Sequence, residues 1–268
     1  MSERTDYPIG APCWVEALQP DPQAAAHFYG QLFGWRFDEP RSMPEGVDGQ
    51  YLAARIGSRL VAGIGQAPGA APTALWITYV RVESGEAALS RVTDAGGAVI
   101  AGPLEAGPDG RLAIVTDPAG IAFGVWQPAE RIGAELVNEP GTWAMSALHT
   151  PDVERAQSFY GAVFAWELQP VPDAPFAFWR LPGHVGGDPA QPIPRDVIAV
   201  IAAIEEPSEV PPHWAVNFRV GDVDATAELA VTLGGQLLLA PTDTPGFRNA
   251  VIVDPQQGVI AVSAPRSS

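Results

Sequence analysis

The chain has 268 residues, with 15 basic and 31 acidic side chains, one cysteine, four histidines and a net charge of −16. Its length suggests two domains of roughly 100–200 residues each, and an apolar share of 47% excludes wholesale disorder. Every basic residue is arginine, which excludes the P-loop nucleotide site, Schiff-base chemistry and pyridoxal phosphate anchoring, each of which needs lysine; the acidic balance argues against nucleic acid and anionic membrane as partners, while permitting cationic ligands.

Cys13 stands alone, so neither an intrachain disulfide nor a cysteine-based zinc site is expected. The start, MSERTDYPIG, has no apolar run, and no stretch reaches the ~18 apolar residues of a spanning helix. A cytoplasmic location is the expectation.

In chain order, Cys13–Leu18 reads as a strand and runs into Asp21-Pro22, a helix N-cap followed by proline at the first helical position. The helix that follows places Ala24, Phe28 and Leu32 beside Ala25, Tyr29 and Phe33, and Gly34 can end it. Three short apolar runs come next: Trp35–Phe37, Tyr51–Ile56 and Leu60–Ile64. Then the pattern restarts. Leu75–Val82 is a strand, Ser84–Ala95 a helix closed by Gly96-Gly97, and Ala98–Ala101, Arg111–Thr116 and Ile121–Trp126 are strands.

The second half repeats the first with a period near 135 residues. HFYGQLFGW (His27–Trp35) recurs as SFYGAVFAW (Ser158–Trp166), and Trp76/Trp214, Arg81/Arg219, Gly96/Gly234, Gly97/Gly235 and Pro103/Pro241 coincide. DPAGIAFGVW from Asp117 aligns with DPQQGVIAVS from Asp254. The expected class is α+β: four βαβββ modules in tandem, forming two curved eight-stranded sheets with helices outside and a concave inner face suited to a small molecule. The expected divisions are 10–127, a linker at 128–140, and 141–265.

Four such modules, with D-P-x-x-A-x-x-F-Y-x-x-x-F-G-W after the first strand and D-P-x-G before the last, resemble the vicinal oxygen chelate superfamily: glyoxalase I, extradiol dioxygenases and bleomycin-binding proteins. The likeness runs from about Gly10 to Pro265 and is greatest to two-domain actinobacterial members labelled hydroxylase. It implies a metal held by His, Gln or Glu on inner strands. Carried over position by position, those ligand sites fall on Trp14 and Met145 in the first strands, near Ile77 and Ala215 in the fifth, and on Gly124 and Ala261 in the last. None of the six suits a divalent ion. No metal and no cofactor are therefore expected, and the glyoxalase I and extradiol sites fail.

Strand alternation sorts the remaining candidates by face. Trp14, Glu16 and Leu18 share the inward face with Ile77, Tyr79, Arg81 and Trp126; Met145, His213, Asn217, Arg219 and Ser263 share it in the second half. Glu16, Tyr79 and His213 are candidate acid/base groups, Glu16 alternatively pairing with Arg81. Trp14, Trp126 and Trp179 are candidate walls that favour flat or cationic ligands. Glu16, Tyr79 and Trp126 should converge, as should His213, Asn217 and Arg219. His149 reads as a loop residue and His184 as a turn residue; His184, Asp188 and His213 are the one alternative metal grouping. The leading expectation is a metal-independent binder of an aromatic or cationic metabolite or antibiotic, as a monomer or homodimer. The alternative is a metal-free or non-standard-metal hydroxylase, isomerase or lyase acting on an aromatic natural product.

Overall fold

A computed structural model describes residues 2–44, 46–69, 74–172, 174–186, 194–204 and 210–266. The first module is β1 (Pro12–Gln19), α1 (Pro22–Phe33), β2 (Arg36–Phe37), β3 (Arg41–Ser42), β4 (Gln50–Ile56) and β5 (Arg59–Gln66). The second is β6 (Leu75–Arg81), α2 (Gly85–Asp94), β7 (Ala98–Glu105), β8 (Gly110–Thr116) and β9 (Ala122–Pro128). The third is β10 (Trp143–Thr150), α3 (Val153–Phe164), β11 (Glu167–Pro170), β12 (Phe176–Arg180) and β13 (Val197–Ala203). The fourth is β14 (His213–Arg219), α4 (Val223–Thr232), β15 (Gln236–Thr244), β16 (Phe247–Val253) and β17 (Val259–Pro265).

Local chemistry explains the helix starts. Asp21 is extended and its carboxylate accepts from the amides of Gln23 and Ala24, both at 3.0 Å, while Pro22 needs no partner for a missing N–H. Asp152, Ser84 and Asp222 cap the other three helices in the same way. Gly34 closes α1 in the left-handed region at φ 73°, where glycine carries no Cβ penalty.

The strand order is β2-β4-β5-β1-β6-β9-β8-β7 in one sheet and β11-β12-β13-β10-β14-β17-β16-β15 in the other. The first sheet has nine strands rather than eight, because the short β3 also pairs with β4. Within each module the first and last strands run parallel, as β1 with β5 and β6 with β9, and modules join through antiparallel β1–β6 and β10–β14 pairs. Both sheets are therefore mixed.

The helices lie on the outer, convex faces, and those faces pack against each other. Phe28, Tyr29, Leu32 and Phe33 of α1 share a core with Val216, Phe218, Ile252, Ile260 and Val262 of the fourth module. Val92 of α2 shares the other core with Phe159, Tyr160 and Val163 of α3. Thr78 and Ser146 meet between the central strands, Oγ to Oγ at 2.7 Å.

The repeated motifs tie the halves together. Tyr29 donates to Asp254 (2.7 Å), and Tyr160 donates to Asp117 (3.3 Å); Trp76 and Trp214 donate to those tyrosine oxygens at 3.1 and 2.9 Å. Trp35 bonds the Gly141 carbonyl and Trp166 the Gly10 carbonyl. The F-Y-G and D-P-x-G motifs are thus structural locks, each joining one half to the other. No helix among the described residues is long and apolar enough to cross a membrane.

Candidate functional site

The concave face of the first sheet encloses a cavity of about 550 Å³. Cross-strand register builds its polar end. Trp14 pairs with Tyr79, Glu16 with Ile77 and Gly63, Tyr79 with Gly124, and Arg81 with Trp126, so these side chains share one face. Tyr79 donates to Glu16 Oε1 at 2.5 Å, with both residues buried. A Cβ at Gly124 would sit 2.1 Å from Tyr79 Cδ1, and one at Gly63 would sit 2.2 Å from Tyr51 Oη. Two glycines therefore leave room for two tyrosines.

Arg131 completes this end. It belongs to neither sheet: it comes from the segment between the halves, expected to be only a linker. Its guanidinium carbon lies 4.7 Å from the Trp14 ring and 4.6 Å from the Trp126 ring, close enough for cation–π contact with both. Nη1 donates to Tyr51 Oη at 2.9 Å, and Nε faces Asp109 at 3.7 Å. The segment is held by Trp126 Nε1 on the Arg131 carbonyl (2.9 Å) and by the Ala134 amide on the Cys13 carbonyl (2.8 Å).

Burial raises the Glu16 carboxyl above the usual carboxylate range, opposed by the Tyr79 hydrogen bond and the Arg131 charge. The indole N–H of Trp14 lies near enough to favour the Glu16 charge, yet outside hydrogen-bond geometry. Burial also pushes the Tyr51 phenol up to about 12, with Arg131 pulling the other way. The walls are apolar, formed by Leu18, Met43, Val47, Leu104, Leu112 and Ile114, and Arg41, Glu105 and Asp109 stand with them around the cavity.

Several residues lie elsewhere than expected. Trp14 and Trp126 back the cavity through Arg131 and do not line it. Arg81 does not meet Glu16: it bonds Asp6 and the Tyr7 carbonyl of the N-terminal segment. Trp179 is fully buried in the core against Tyr160 and Trp166, because β12 turns its indole to the convex side. His213, Asn217 and Arg219 share a face but are strung along β14, with His213 and Arg219 roughly 20 Å apart at 3.4 Å per residue, so they do not converge. His149 lies within strand β10, one residue before its end, rather than in a loop, and stacks on His213 with ring centres 4.8 Å apart. Burial and the neighbouring His213 lower its pKa to about 4. Met145 pairs with Asn217, whose side-chain oxygen accepts from Ser263 at 2.9 Å. Tyr51 and Arg131 were missed; alternation placed no weight on Tyr51, and Arg131 lies outside every repeated unit.

A model of the glyoxalase/bleomycin resistance protein/dioxygenase superfamily matches residues 14–125, and a glyoxalase-like domain model matches 145–262. CFP32 of Mycobacterium tuberculosis, provisionally named a glyoxylase, is 36% identical over 99% of this chain and 98% of its own length. The chain belongs to the glyoxalase/bleomycin resistance protein/dioxygenase superfamily. The anthracycline biosynthesis protein DnrV of Streptomyces peucetius is 32% identical over 94% of this chain and 92% of its own. Among solved structures, the Mn(II)-bound glyoxalase of Novosphingobium aromaticivorans shares the fold, with a TM-score of 0.62 at 18% identity, covering 95% of this chain and 82% of that one.

The metal seen in that neighbour does not suit the residues present here. At the superfamily ligand positions, Trp14 lies beneath Arg131, Ile77 is fully buried, and Gly124 is covered by the Tyr79 ring. Met145, Ala215 and Ala261 in the second half supply no carboxylate or imidazole. Among the described residues, no group of three or more His, Cys, Asp or Glu is placed to hold a metal ion. His184 sits with Arg4 and Tyr7, whereas His213 stacks on His149, and Asp188 lies outside the described residues.

Proposed function

We propose that the cavity of the first half binds a flat, oxygen-bearing aromatic molecule without a metal ion. The observation that carries this reading is Arg131, stacked on Trp14 and Trp126 and joined to Tyr51, beside the Glu16–Tyr79 pair. The indole faces that could attract a cationic ligand are already taken by the protein's own cation, so a neutral or acidic ligand is favoured over a cationic one. Apolar walls suit fused rings, four polar groups at one end suit ring oxygens, and the volume falls in the usual range for small-molecule pockets. A relative named for anthracycline biosynthesis points the same way, since anthracyclines are fused rings bearing phenol and quinone oxygens.

Titration of chelator-treated protein with fused-ring hydroxyquinones, read by tryptophan fluorescence, tests the proposal. Binding should survive metal removal and weaken at least tenfold in Ile114→Trp, which fills the cavity. Binding that vanishes on chelation, or ignores Ile114→Trp, would count against it.

The second reading is a metal-free enzyme of the same cavity, favoured by the 2.5 Å Tyr79–Glu16 contact and the raised proton affinity of Glu16. Turnover of a bound ligand, lost in Glu16→Gln with binding retained, would select it.

A further inference from the structure

We infer that the cavity holds its ligand as a phenolate or enolate, with the oxyanion on Arg131. This rests on the binding role proposed above and adds the ionisation state of what is bound.

Arg131 is a buried cation with spare donors. Among the described residues, its guanidinium makes one hydrogen bond, from Nη1 to Tyr51 Oη, while Nε is buried without a hydrogen-bond partner. Its two indole neighbours hold the guanidinium in place against the cavity's polar end. The nearby carboxylates have other partners. Glu105 lies 2.7 Å from Arg111, Asp109 lies 3.5 Å from Arg41 against 3.7 Å from Arg131, and Glu16 accepts from Tyr79. A buried cation with unfilled donors favours an anionic oxygen, which forms stronger hydrogen bonds than a neutral one.

The charge balance closes. The ligand O–H bond opens, its electron pair stays on the oxygen facing Arg131, and the proton passes to Glu16 where that carboxyl is ionised, or to buffer where burial already keeps it protonated. In the first case the net charge of the site is unchanged. Burial supports the transfer by raising the affinity of Glu16 for a proton. The other titratable groups around the site are Tyr51, Tyr79 and Asp109, with Arg41 and Glu105 at the cavity wall.

Alizarin, a planar dihydroxyanthraquinone whose visible band moves to longer wavelength on ionisation, is a direct probe. In buffer one pH unit below its first solution pKa, the wild-type complex should show the anion band. Arg131→Met should bind at least tenfold more weakly and show the neutral band, with circular dichroism checking its fold. Glu16→Gln, an isostere of the protonated carboxyl, should keep the anion band and release the proton to buffer. A neutral band in the wild-type complex, an anion band retained in folded Arg131→Met, or its loss in Glu16→Gln would each overturn the inference while leaving binding intact. Failure of wild-type protein to bind alizarin or any related hydroxyquinone would instead defeat the underlying binding role. If Arg131→Met does not fold, the wild-type and Glu16→Gln spectra still decide.

Discussion

Gly124 shows how one residue can shape this cavity. It stands at a superfamily ligand position and makes room for Tyr79, whose ring would be 2.1 Å from any added Cβ. Gly124→Ala should push Tyr79 off Glu16 and cost about 1–3 kcal/mol by overpacking, measured by urea denaturation. Unchanged stability would mean that the ring moves freely, contrary to its burial at 1% exposure. Glu16 carries a pH signature. Its proton affinity is raised in the folded state, so above the unfolded carboxyl value near 4.5 the native protein keeps a proton that the unfolded chain has lost. Between that value and the folded one, stability contributed by Glu16 must fall as pH rises. Denaturation of wild type and Glu16→Gln across pH 4–8 should show the wild type losing ground to the variant as pH rises above the unfolded value.

At the scale of an element, the segment between the halves matters most. Reading it as a spacer followed from its Pro/Gly-flanked, polar composition. Instead Glu135 bonds Leu60, both through its amide to the carbonyl and through its carboxylate to the amide, while the Val137 amide reaches the Ser2 carbonyl. Gly133 is needed where this segment crosses β1: its φ is +131°, and a Cβ there would lie 2.3 Å from the Cys13 carbonyl oxygen. Gly133→Ala should therefore lift the segment, cost about 1–3 kcal/mol, and withdraw Arg131 from its two indoles. Tryptophan fluorescence should change along with the melting temperature. A stable variant with wild-type fluorescence would show that Arg131 is positioned by its own stacking, not by the segment's path.

The whole molecule is a duplication whose halves share their cores. Each core pairs modules across the halves, first with fourth and second with third, and each tyrosine–aspartate lock does the same. Separation would expose Phe28, Phe33, Phe159 and Phe218 together and strand the buried Asp254 carboxylate without Tyr29 and Gln19. Fragments 2–138 and 139–266 should each lack cooperative unfolding when expressed alone, and mixing them should restore a single transition. Independent cooperative melting of either fragment would refute the shared-core account.

Sequence alone determined the order of the main elements, their repetition and the inward faces of β1 and β6. Periods of 3.6 and 2, cap residues such as Asp21 and Ser84, and recurring motifs are local signals, and a twofold strand period assigns Glu16 and Tyr79 to one face without knowledge of neighbours. The same signals made the ligand positions readable, because the motifs fixed the alignment that exposed Trp14, Ile77 and Gly124. Only the tertiary structure decided what fills the face. Arg131 arrives from a segment outside the repeat, Tyr51 reaches across to the space above Gly63, Arg81 is drawn off by Asp6, and Trp179 belongs to a core shared between halves. Each of these depends on groups far apart in the chain meeting at side-chain length, and no local period encodes such a meeting. The concave face was legible; the cation at its centre was not.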